Sequence, residues 1–127
     1  MLIQQASVGR VPSPGRWLVA WRIQNLDQQP LQILAGRLPH GKFRGDEKEF
    51  TPVPRLSRNE SAKVEFTVAC SEAPGAVIEN AFLILRLLRL ETVWWVFARL
   101  RVTTDEKGAP HAITELITTK PTGFSRE

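Results

Sequence analysis

The sequence predicts an all-β domain, a sandwich of about seven or eight short antiparallel strands. Three observations carry this. Apolar and polar residues alternate with period two in "RWLVAWRIQ" and "SAKVEFTVA", so each segment has one apolar face as a strand. Glycine, proline and asparagine clusters recur between the apolar segments and punctuate them as turns. The most apolar region, "AFLILRLLRLETVWWVFA", ends in β-branched and aromatic residues and shows no stripe of helical period.

The elements follow in chain order. Residues 1–15 form an N-terminal arm in which "LIQQASV" adds a strand before the loop "VPSPG". In "RWLVAWRIQ" the side chains of Trp17, Val19, Trp21 and Ile23 share one face. "NLDQQP" is a turn and "LQILA" a short strand. Residues 37–56, with three prolines and two glycines, read as a long irregular connection holding one short edge strand near 49–53. In the next strand Ala62, Val64, Phe66, Val68 and Cys70 point one way, leaving a wet face opposite. "SEAPG" ends it. "NAFLILRLL" has helix-forming leucines, but its short length and the strand that follows at once favour β structure. "TDEKGAP" is a turn, "HAITELITT" a last strand, and residues 121–127 a tail containing Phe124.

The succession of "WLVAWRIQN", a proline turn, "SAKVEFTV" and a final hairpin resembles bacterial immunoglobulin-like domains over residues 16–103. The resemblance implies an immunoglobulin-like sandwich and, loosely, a binding role. Cys70 is the only cysteine, so the inter-sheet cystine of antibody domains is absent and antibody-type membership is not implied.

Length and composition fit one ordinary domain spanning residues 1–127. The chain has 127 residues, 43% hydrophobic and 24% charged, enough to bury a core without disulfides or metal. Net charge is +4, a weak pointer to anionic partners. A lone cysteine and the lack of a signal-peptide pattern at the start favour a cytoplasmic protein. Arg86, Arg89 and Glu91 interrupt the most apolar segment, each costing roughly 2.5–3.5 kcal/mol at a bilayer centre, which excludes a membrane span.

The hairpin of residues 81–103 carries the functional reading, because adjacent Trp94 and Trp95 must point to opposite faces. Pairing Leu88 with Val93 across "RLET" sets Arg86 opposite Trp95, Ile84 opposite Phe97 and Phe82 opposite Arg99. Leu87, Leu85 and Leu83 then meet Trp94, Val96 and Ala98 on a face without charge, which must be the core. A slip of one residue would send Arg86 into that core. The outer face presents Phe82, Ile84, Leu88, Val93, Trp95 and Phe97, with Arg86, Arg99 and Arg101 among and beside them. Arg86 is expected to lie over Trp95 as a cation–π pair. An apolar patch of this size needs cover. Phe43, Phe50 or Phe124 would supply it from the chain itself; otherwise a second copy, another protein or a ligand does.

Chemistry-bearing motifs are few. His40, His111 and Cys70 lack ligand spacing, so no metal or other cofactor is expected, and Cys70 reads as core filler. "RLPHGKFRG" lacks the GK[ST] ending of a phosphate loop and reads as a solvated charged loop. Asn59-Glu60-Ser61 fits the glycosylation pattern by chance. Ser57 and Ser61 have no nearby histidine, and Glu91, Asp105, Glu106 and Glu115 form no catalytic pairing. The sequence thus points to a non-catalytic interaction module, a homodimer or a binder of another protein, using the hairpin's outer face. The alternative is a ligand-binding sandwich with sugar rings or nucleic-acid bases stacked on Trp95 and Phe97.

Overall fold

A computed structural model describes residues 1–122 of the chain. All its regular elements are strands, and no helix occurs among the described residues. Accordingly, no helix there is long and apolar enough to cross a membrane. The nine strands are β1 (Leu2–Arg10), β2 (Arg16–Gln24), β3 (Leu31–His40), β4 (Phe43–Glu49), β5 (Arg55–Leu56), β6 (Ser61–Ala69), β7 (Val77–Arg89), β8 (Thr92–Thr104) and β9 (Pro110–Pro121). They form one antiparallel sheet of order β1-β2-β6-β4-β3-β7-β8-β9, with β5 attached to β3. The shape is a nearly closed, barrel-like ring. It has two weak points: β4 meets β6 at the single pair Arg44↔Ala69, and β1 has no backbone ladder with β9.

The period-two pattern decides what is inside. Trp17, Val19, Trp21 and Ile23 of β2 lie opposite Val68, Phe66, Val64 and Ala62 of β6. All but the half-buried Ala62 are buried. Opposite them, Ala81, Leu83, Leu85 and Leu87 of β7 and Val96, Ala98, Leu100 and Val102 of β8 complete the interior. Cys70 belongs to this core, and burial pushes its thiol pKa up. Its backbone carbonyl accepts a hydrogen bond from Trp17 Nε1 at 3.1 Å.

Residues 37–56 depart from the expectation. β3 runs on to His40, turns at residues 41–42, and returns as β4, while of the expected edge strand near 49–53 only Glu49 is in a strand, at the end of β4, and residues 50–53 are loop. β4 leaves no period-two mark in the sequence because it is charged on both sides: beyond Phe43 and Gly45, its residues are exposed. A strand with few neighbours on one edge needs no apolar alternation. Phe43 points inward, fully buried, with its ring edge-to-face against Trp21 at 6.4 Å. Phe50 packs edge-to-face on Phe66 at 5.9 Å. Both phenylalanines therefore complete the interior of the barrel and do not lid the hairpin's outer face. Phe124 lies outside the described residues.

The β7–β8 hairpin is tighter than "RLET" suggested. Arg89 pairs with Thr92, leaving a two-residue turn at Leu90 and Glu91 with φ of 50° and 63°. Positive φ at both central residues is the turn whose twist matches two right-twisted strands. The β8–β9 turn is organised by Asp105, whose Oδ1 accepts the N–H groups of Lys107 and Ala109 at 2.9 Å each. Its Oδ2 meets His111 Nε2 at 2.9 Å. That bond to His111 and the turn N–H groups hold the Asp105 carboxyl below its ordinary pKa.

Candidate functional site

The site is the outer wall of β7, β8 and β9. The expected hairpin register is the observed one: Leu88↔Val93, Arg86↔Trp95, Ile84↔Phe97 and Phe82↔Arg99 share the outer face, and Leu87↔Trp94, Leu85↔Val96 and Leu83↔Ala98 share the inner one. The two tryptophans thus do different work. Trp94 faces the end of the barrel interior, half-buried against the core. Trp95 stands outside.

All the outer-face positions of the hairpin are partly covered by their lateral neighbours. Phe82, Arg86, Leu88, Val93, Trp95, Phe97 and Arg99 are half-buried, Ile84 is buried at 7% exposure, and Arg101 is exposed. Trp95 bounds a shallow dent together with Ala35, Arg37, Glu47, Ile84 and Arg86. The cover comes from residues of the same sheet.

The hairpin's three outer arginines each have a carboxylate nearby. Arg86 lies 3.9 Å from Glu49, Arg99 3.7 Å from Glu115, and Arg101 3.4 Å from Glu79. At 3.7 Å the Arg99–Glu115 contact is an ion contact and too long for a hydrogen bond. Arg99 Nε is buried with no hydrogen-bond partner among the described residues. Pairs this exposed stabilise the fold by at most about 1 kcal/mol each. They place a carboxylate beside each of these three arginines.

The expected stacking of Arg86 on Trp95 is not what forms. Arg86 turns to Glu49, and the hairpin's cation–π contact is Arg89 over Trp94, 4.6 Å from the ring centroid. Arg89 is held there by Asp27, 2.6 Å away, because the β2–β3 turn brings Asp27 to the barrel end. These groups border a cavity of about 220 Å³ floored by Leu31, Leu87 and Val96.

The wall extends beyond the residues read from sequence. β9 adds Leu116 opposite Arg99 and Ile113 opposite Arg101, 48% and 66% exposed. Simple alternation puts residues three apart on opposite faces. Glu115 is an extra residue where the β8–β9 register shifts between Arg99 and Leu100, and this bulge turns both side chains outward. Only the pair of apolar residues at odd spacing, Ile113 and Leu116, hinted at it.

His40, His111 and Cys70 are not brought together. His40 Nδ1 accepts the Lys42 N–H at 3.1 Å on the β3–β4 turn, His111 serves Asp105, and Cys70 is buried. Asn59 sits in a turn with φ of 68°. No family model, no curated protein and no solved structure matches this chain.

Proposed function

We propose that this chain is a non-catalytic protein-interaction module that self-associates through the outer wall of β7–β9. The observation that carries the reading is a patch of partly exposed Phe82, Trp95 and Phe97 with exposed Leu116 and Ile113 across Arg99 and Arg101, on a sheet face whose three arginines each face a carboxylate. Aromatic residues with arginine at the margin are the composition of interface hot spots. Neighbours already cover most of each aromatic side chain, while Leu116 and Ile113 remain 48% and 66% exposed, so burying the remainder yields on the order of 5 kcal/mol gross at about 25 cal/mol per Å², before association costs. The alternative, nucleic acid stacked on Trp95 and Phe97, fits less well because Arg86, Arg99 and Arg101 each already face a carboxylate. The strand grouping β1-β2-β6 against β4-β3-β7-β8-β9, laddered to each other at one pair only, supports reading the barrel as a flattened immunoglobulin-like sandwich.

Trp95→Glu tests the proposal. The new carboxylate would lie between Arg86 and Lys120, its cross-strand partners, so the fold tolerates it. Sedimentation velocity should show a concentration-dependent dimer for the native chain, weakened at least about 30-fold by the substitution, as expected for a hot spot. A native chain that stays monomeric at millimolar concentration rules self-association out. A salt-sensitive complex with oligonucleotides would favour the alternative.

A further inference from the structure

The free ends of the sheet, β1 and β9, lie side by side, but only side chains join them. The Gln5 amide donates from Nε2 to the Pro110 carbonyl at 3.0 Å and accepts the Ala112 N–H at 2.6 Å. The Thr114 hydroxyl donates to the Ile3 carbonyl at 2.8 Å. Along this seam runs an open groove of about 700 Å³, lined by residues 2–5 and 112–117.

The chemistry of the Gln5 contact is specific. The carbonyl before His111 and the N–H after it are the two groups that a neighbouring strand engages. The Gln5 side chain offers one N–H and one C=O to both, so a side-chain amide occupies the place of a peptide unit. Farther along, the outer edge of β9 has no backbone ladder among the described residues, since β9 pairs with β8 alone. Sheet edges are ordinarily blunted by lysine, proline or inward charge. The groove lining holds none of these, only the bulge at Glu115; that residue is its one ionisable side chain and faces Arg99. With that carboxylate answered by Arg99, the lining offers no unpaired charge and suits a neutral segment.

We propose that the β1–β9 seam accepts an extended, neutral segment of a partner protein by β-strand addition, displacing the Gln5 amide and the Thr114 hydroxyl from their partners. The segment's backbone pairs with the open edges, and its alternate apolar residues pack beside Ile113 and Leu116. This groove borders the self-association wall at Ile113 and Leu116, and residues 2–5, which lie off that wall, tell the two proposals apart.

The test is a titration of the ¹⁵N-labelled chain with a synthetic peptide of alternating valine and threonine closed by a lysine at each end. Expected are amide shifts and exchange protection at residues 2–5 and 112–117. The same peptide N-methylated at alternate backbone nitrogens should not bind, because it keeps the side chains and loses the ladder. Gln5→Ala should tighten binding about two- to tenfold by removing the competing amide, the worth of a net hydrogen bond. No shift at millimolar peptide, shifts confined to the Trp95 wall, or equal binding of the N-methylated peptide would each overturn the proposal.

Discussion

Gly36 is the position where one added carbon tests the packing beneath the proposed surface. It lies on β3 opposite Leu85, facing the interior. A Cβ there would meet Phe66 Cζ at 2.8 Å and Leu85 Cδ2 at 2.9 Å, with the Ile84 carbonyl oxygen at 3.4 Å. Favourable carbon contacts lie at about 3.5–4.0 Å, so both neighbours must give way. The Leu85 methyl sits on a flexible side chain. The Phe66 ring is wedged edge-on against Phe50, so it resists. Overpacking of this kind costs about 1–3 kcal/mol. Replacing glycine by alanine returns about 0.4–1 kcal/mol through the unfolded chain. Gly36→Ala should therefore lose about 1–2 kcal/mol, read in urea as a lower midpoint at constant slope. Phe66→Leu in the Gly36→Ala background should recover part of the loss, giving a double-mutant coupling. Unchanged or increased stability for Gly36→Ala, with no coupling to Phe66, would refute the close packing of β3 on β7.

Two further outcomes follow from turns. Leu90 and Glu91 hold positive φ that asparagine and glycine adopt more readily. Leu90 is 67% exposed, so the double replacement by Asn and Gly should stabilise the chain by about 1–2 kcal/mol; a lower melting temperature would contradict the turn. Asp105 has a folded pKa lowered from 3.8. Its stabilising contribution is therefore complete above that value and lost as pH falls through the lower folded value. Asp105→Asn should flatten the acid limb of melting temperature against pH; an unaltered limb would contradict its bond to His111.

Sequence patterning made the hairpin legible because one wrong register would bury Arg86. It made β2 and β6 legible through their clean alternation. It failed where side chains do not report the fold. β4 carries charge on both faces, so nothing marked it as a strand. Phe43 and Phe50 were plausible lids only while their strand partners were unknown; pairing His40 with Phe43 turns that ring into the core. The place of Arg89 depends on Asp27, distant in sequence and brought near by the β2–β3 turn. Ile113 and Leu116 share the outer wall only because Glu115 is a bulge, which no period-two rule foresees.

Self-association through this wall requires Phe82, Trp95 and Phe97, partly exposed in the single chain, to be covered in its assembly. Hydroxyl-radical footprinting across a dilution series reads this directly. Trp95, Phe97 and Phe82 should be oxidised in dilute solution and lose that reactivity as concentration rises, while buried Trp21 and Phe43 stay unreactive throughout. Reactivity of Trp95 that does not change with concentration, or a Trp95 already protected at the greatest dilution, would contradict it.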